Sequence, residues 1–286
     1  MTPDLRITDV HIHIQPWREL KPAVLKTMLQ GKKDFEQLMA VMYEPDLLLE
    51  IMNAEGIDRV GMVNYPSPDL MGFTDATNEH SARYAERDPR RLLPYGGVHP
   101  LFTRNAVRDV EHLVELGIRV LKIHPNHQTV AANAYTDGLE SLAEIYGTCE
   151  KHGMPVMIHT GTSIFPGARS RYGNPMEIDD VAIDFPDLQI IMAHGGRPLY
   201  MQEAFFILRR HPNVWVDLSG IPPKGLLEYF PRIIELSAKV LWGTDWPSPG
   251  VSAMRKNLDQ FLSVDIPEAF VRSAVQDNPE RLLPSP

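Results

Sequence analysis

Five side chains combine metal-ligating chemistry with spacing that strands can exploit: His11 and His13 in TDVHIH, His159 in VMIHT, His194 in IMAHG and Asp245 in LWGTDW. Side chains alternate along a strand, so His11 and His13 point to one side, and both imidazoles reach a single ion if that side is a barrel interior. With His159 and Asp245 at the same level, the donors form a nitrogen-rich, borderline-soft set. Such a set suits Zn²⁺, with Mn²⁺, Fe²⁺ or Co²⁺ as alternatives, and leaves a position for water. His99 and His124 also sit where apolar runs end, His99 just before Pro100 at the rim.

The elements that must position these groups follow from an alternation along the chain. Eight short β-rich runs, at residues 6–13, 59–64, 93–99, 119–124, 155–160, 188–194, 213–219 and 239–245, are each followed by a helix-like segment. Near-continuous apolar runs of this kind are expected of parallel strands covered on both faces. Amphipathic segments at 104–116 and 139–152 have helical spacing, and Gly117 and Gly153 stand where a left-handed cap would end each helix. Eight βα units predict a closed (β/α)8 TIM barrel, one α/β domain over residues 1–286. An open doubly wound sheet would call for a G-x-G-x-x-G after the first strand, which the sequence lacks. In a barrel the C-terminal strand ends converge, so the scattered histidines meet. Residues 15–44, with Trp17, Arg18, a basic GKK at 31–33 and several Met, exceed a normal βα loop and are expected to form either a lid or a helical insertion that only packs on the barrel rim. The C-terminal IPEAFVRSAVQDNPERLLPSP reads as a final helix broken before Pro279, followed by a short tail.

A net charge of −9 with no block of five or six like charges excludes a nucleic-acid or membrane-surface partner, and 43% hydrophobic residues provide for a large core. A single cysteine, Cys149, forbids an internal disulfide and suits a reducing compartment. With no signal-like N-terminus and no long apolar stretch, a cytoplasmic protein is expected, as a monomer or homo-oligomer.

Together, the strand-one H-x-H, the strand-five and strand-six histidines and the strand-eight Asp resemble the amidohydrolase superfamily along the whole chain. The AHGG and GTDWP forms are similar to its amidohydrolase-2 branch, which includes relatives of aminocarboxymuconate semialdehyde decarboxylase. That resemblance implies a distorted TIM barrel, one metal bound by His11, His13, His159 and Asp245, and His194 as a catalytic acid or base. A divalent ion lowers the pKa of its water from about 15.7 to near 7, making hydroxide available at neutral pH, with His194 and Asp245 handling protons.

Lys122 and His124 share strand parity in RVLKIHP, so Lys122 faces inward one layer below His124. It either forms an ion pair with Asp9 or, as in some superfamily members, is carbamylated and bridges two metals. Arg169, Arg171, Arg197 and Lys224, in loops expected near the mouth, are candidates for binding a carboxylate. His124, and Trp17 or Trp246 as stacking platforms, complete the candidate substrate contacts. The leading expectation is a metal-dependent hydrolase acting on a small acidic substrate. The alternative is a non-oxidative decarboxylase of an unsaturated or aromatic acid. The strand-six HGGRP carries Arg197 where aromatic-acid decarboxylases often carry Glu in an HMGE-like pattern, a departure that leaves the aminocarboxymuconate type open. A barrel that only binds metal would need neither His194 nor an open ligand position.

Overall fold

Every predicted apolar run contributes a strand. The computed structural model describes residues 5–30, 32 and 34–283. Its strands are β1 (Thr8–Ile12), β2 (Arg59–Met62), β3 (Leu92–Gly96), β4 (Val120–Ile123), β5 (Val156–His159), β6 (Ile190–Ala193), β7 (Val214–Asp217) and β8 (Val240–Leu241). They pair in parallel in sequence order. All are shorter than the apolar runs that predict them. β8 is the extreme case. Beyond Leu241 the chain bonds to β1 instead: Val10 N donates to Trp242 O at 3.1 Å, Asp245 N to His11 O at 2.8 Å and His13 N to Trp246 O at 2.7 Å. These bonds form the seam that closes the barrel.

Two hydrophobic clusters follow from strand alternation. The larger joins outward-facing strand residues such as Val156, Ile158, Ile190 and Val214 to the surrounding helices. The smaller, including Tyr95, Val120, Met157, Ile191, Trp215 and Leu241, fills the barrel. Residues of the same parity continue upward as Lys122, His159 and Asp217. Register sets their heights: His159 pairs with Ala193 and Ala193 with Asp217, while Lys122 pairs with Met157 one layer below.

The amphipathic segments form helices Ala106–Glu115 and Glu140–Lys151. The Asn105 side chain accepts from Arg108 N at 3.0 Å and caps the first of these. Gly117 (φ 75°) and Gly153 (φ 62°) take the left-handed conformation expected of them. Cys149 is buried and free. The predicted break before Pro279 does not occur. Helix Glu268–Arg272 continues through a π-helical turn, Ser273–Asp277, into Asn278–Leu282. The wider turn accommodates the hydrogen bond and space that a proline denies to a regular α-helix. The tail at 284–286 lies outside the described residues, as do residues 1–4. No described helix is long and apolar enough to cross a membrane.

Candidate active site

His194 and Asp245 leave their strands in the left-handed region, with φ of 65° and 67°. Non-glycine residues hold such backbone only where surrounding contacts impose it, and functional sites are where it collects. For Asp245 the constraint is the seam, where its amide is bound by His11 O. For His194 it is the tight turn through Gly195 and Gly196, which also have positive φ. The turn aims the imidazole back over the barrel, with ring centroids 4.9 Å from His11 and 4.7 Å from His159.

Hydrogen bonding fixes which nitrogen of each ring carries the proton. His11 Nδ1 lies 2.6 Å from Asp217 Oδ2, an acceptor, so Nδ1 holds the proton and Nε2 presents its lone pair. His194 Nδ1 lies 2.9 Å from the carbonyl of Ser219, which can only accept, so its Nε2 is likewise free. The Ser219 hydroxyl gives its proton to Asp217 Oδ2 at 2.7 Å and sits 3.1 and 3.0 Å from the Nδ1 atoms of His11 and His194. Asp217 and Ser219 therefore orient both rings.

The freed Nε2 of His11 is buried without a hydrogen-bond partner among the described residues and stands 3.5 Å from Asp245 Oδ1. His13 Nε2 is 2.8 Å from the same oxygen, while its Nδ1 faces Val63 O at 3.4 Å. The His11 lone pair, the His13 imidazole and the Asp245 carboxylate crowd together, their donor atoms within 4.8 Å of one another, a set suited to a cation once His13 gives up the proton it shares with Asp245. A second compact group, His11, His194 and Asp217, spends its Nδ1 atoms on the hydrogen bonds just described. Burial pushes the Asp245 carboxyl up, but the bond from His13 and the fields of His194, His13 and His11 outweigh it, holding the group well below the usual carboxylate range. Burial pushes His194 down to about 3 and Lys122 down to about 8.

A family model described as amidohydrolase matches residues 8–285. The chain belongs to the amidohydrolase family. Hydrolases and decarboxylases both stand among the proteins this amidohydrolase resembles. A 4-sulfomuconolactone hydrolase from Rhizobium radiobacter is 24% identical over 257 residues, covering 82% of this chain and 78% of its own. An uncharacterised TIM-barrel protein from Bordetella bronchiseptica superposes with a TM-score of 0.76 at 23% identity over 98% of both chains. The 5-carboxyvanillate decarboxylase of Sphingomonas paucimobilis superposes at 0.68 with 17% identity, covering 99% of this chain and all of its own.

In this amidohydrolase, His11, His13, His159, His194, Asp245, Lys122, His124 and Arg197 all line one cavity of about 180 Å³. His159 is set apart from the tight donor group, its Nε2 3.3 Å from Thr162 O and its ring stacked on His124 at 3.9 Å. Several expected contacts lie elsewhere. Arg169 and Arg171 are exposed and off the cavity, since the loop after β5 turns outward there, and Arg171 instead bonds and stacks on Tyr172. Lys224 is exposed as well. Trp17 and Trp246 are buried in the outer hydrophobic cluster and offer the cavity no ring face. His99 stacks on Phe102 at 4.2 Å outside the cavity.

The expected Lys122–Asp9 ion pair is absent. Asp9 is occupied by Thr244 Oγ1 at 2.6 Å and by the amides of Thr244 and His11 at 3.0 and 3.1 Å, while Lys122 Nζ is buried with no hydrogen-bond partner among the described residues. The 15–44 insertion packs as short helices, Trp17–Glu19, Pro22–Leu29 and Phe35–Val41, with Gln15 and Met28 on the cavity wall. Of its GKK, Gly31 and Lys33 lie outside the described residues.

The loops bearing Arg197 and Thr162 meet through bare backbone. Gly161 N donates to Gly173 O at 2.7 Å and Thr162 N to Arg197 O at 3.0 Å. A Cβ on Gly173 would come within 1.9 Å of Gly161 O. Gly173→Ala should therefore cost about 2–4 kcal/mol in urea unfolding and lower activity by displacing Arg197; a loss below about 0.5 kcal/mol would show that the contact yields easily.

Acid should also unfold this protein early. Burial holds His127 and His194 at about 3, so between roughly pH 6.5 and 3 the unfolded chain binds protons that the folded chain refuses. Each contributes a stability loss of up to about 1.4 kcal/mol per pH unit as pH falls through that window. Asp9, raised by burial to about 8, works in the opposite sense as pH falls from 8 to 4. Thermal unfolding at stepped pH should show a falling midpoint below pH 6.5, with a smaller slope in His127→Gln.

Proposed function

We propose that this amidohydrolase is a metal-dependent hydrolase of a small carboxylate-bearing substrate. The observation that carries the reading is the approach of His11 Nε2 and His13 Nε2 to one Asp245 oxygen, with the His11 lone pair left unmatched. His11, His13 and Asp245 would hold one divalent ion, with His159 from the same cavity wall as fourth ligand, and Zn²⁺ suits these donors best. The ion supplies Lewis acidity and lowers the pKa of a water by several units.

The chain's own residues do the rest. His194, neutral and with Nε2 unprotonated, takes the proton of the attacking water as a carbonyl of an ester, lactone or amide is attacked, then returns it to the leaving group. Asp217 and Ser219 hold that ring in its basic orientation. Arg197 and Lys122 line the cavity, their Nε and Nζ have no hydrogen-bond partner among the described residues, and they receive the substrate carboxylate. Met28 and Phe165 add apolar surface to the cavity wall. The hydrolase named among the relatives supports the choice of reaction.

The test is product analysis in H₂¹⁸O with carboxylated lactones, esters, amides and enoic acids as probes. Label entering the organic product is expected; release of CO₂ without label would replace hydrolysis by decarboxylation. Metal analysis should find one ion per chain, whereas two ions would put a carbamylated Lys122 between them.

A further inference from the structure

On the wall of the same cavity, three side chains that no expectation had assigned form a hydrogen-bond chain: Tyr65 after β2, His127 after β4 and Ser163 after β5. Tyr65 Oη lies 2.8 Å from His127 Nδ1, and His127 Nε2 lies 2.7 Å from Ser163 Oγ. Tyr65 and His127 are buried, 2% and 4% exposed. Face-on stacking with His124 at 3.5 Å and the edge of Phe165 at 5.4 Å hold the His127 ring in place.

The direction of this chain can be read from proton supply. Among the described residues, His127 Nδ1 is the hydrogen-bond partner of the Tyr65 hydroxyl, so a buried phenol proton is satisfied there. Burial keeps that phenol protonated and His127 neutral. A neutral imidazole that accepts at Nδ1 must carry its proton at Nε2, so it donates to Ser163 Oγ. Phe165 N donates to the same oxygen at 3.3 Å. With two donors already on Ser163 Oγ, its own proton is left for a third group, and Ser163 lines the cavity.

We propose that Ser163 is a substrate-binding residue, a hydroxyl donor committed by Tyr65 and His127 to an acceptor oxygen of the substrate, either carboxylate or carbonyl. Its role is to fix the end of the molecule away from His194. Tyr65 and His127 are positioning residues. Each donor in the relay polarises the next, so an oxygen at its end is bound better than by an isolated serine. A ligand group that can only donate there, such as an ammonium, finds no acceptor and is rejected. The inference rests on the reading of this cavity as the substrate site.

Two measurements test it on the full-length protein. ¹⁵N NMR of the histidine rings, assigned with His127→Gln, should show His127 protonated at Nε2 and unprotonated at Nδ1. The reverse tautomer would overturn the relay without touching the proposed reaction. Calorimetric titration with malonate, glutarate and benzoate as probes should show roughly ten-fold weaker binding of the best of them in Ser163→Ala. Affinity should return in Ser163→Thr, and Tyr65→Phe should weaken binding while making the His127 ring a mixture of tautomers. Unchanged affinity in Ser163→Ala would remove Ser163 from the site. If the wild-type protein bound none of the three, the acidic-substrate reading would fall, and this subsite with it.

Discussion

Asp245→Asn is expected to abolish turnover, by at least about 10³-fold, and to reduce metal content below one-tenth of the wild-type value. The carboxylate is the sole anion in the tight donor group with His11 and His13, and the loss of its charge removes the field that draws a cation there. Asparagine is the informative replacement because Asp245 sits at φ 67°, where Asn is tolerated better than Ala. The seam hydrogen bond from the residue 245 amide to His11 O can then remain, so a loss of function reports the charge rather than an opened barrel. Elemental analysis after dialysis, alongside circular dichroism, separates these outcomes. A variant that kept both its metal and its activity would remove Asp245 from the ligand set.

The second large effect is that of His194→Asn, expected to retain the metal and the fold while turnover drops by about 10²–10⁴-fold, the usual range for a lost general acid or base. Here too the left-handed backbone, φ 65°, favours asparagine. Its side-chain amide can still donate to the Ser219 carbonyl, which takes the Nδ1 proton in the wild-type chain. What disappears is the basic Nε2 over the cavity. Full activity in this variant would refute the proton-carrier role, and loss of metal along with activity would make His194 a ligand instead.

The fold was legible because its strands are continuous apolar runs, and parity along one such run was enough to bring His11 and His13 to the same wall. Convergence of His159, His194 and Asp245 followed from barrel geometry alone. Legibility failed where a side chain's value depends on what the fold sets opposite it. Asp217 and Ser219 were read only as the end of the seventh strand, since VDLS has no spacing that marks a partner for His11 more than two hundred residues away. Tyr65, His127 and Ser163 come from three separate segments, His127 from the short helix Pro125–Gln128, and share no motif; the one signal available was His127 itself, three residues beyond His124 in HPNH. Arg169 and Arg171 went astray for the converse reason. Position after β5 suggested the mouth, but the loop turns outward before it reaches them, and Arg197 is held inward by backbone contacts that only two glycines permit. Lys122 was rightly turned inward, but Asp9 found Thr244 and the His11 amide closer to hand.

The seam between β1 and the segment around Asp245 also sets when this chemistry can begin in the life of the chain. His11 and His13 leave the ribosome ahead of Trp242, Asp245 and Trp246, which emerge roughly ten seconds or more later at ordinary elongation rates. Until then the growing chain carries a bare pair of imidazoles, with neither the carboxylate nor the hydrogen bonds that fix its first strand. Barrel closure and the meeting of His11 and His13 with Asp245 are thus a single late event, so a translation product interrupted before residue 245 has neither.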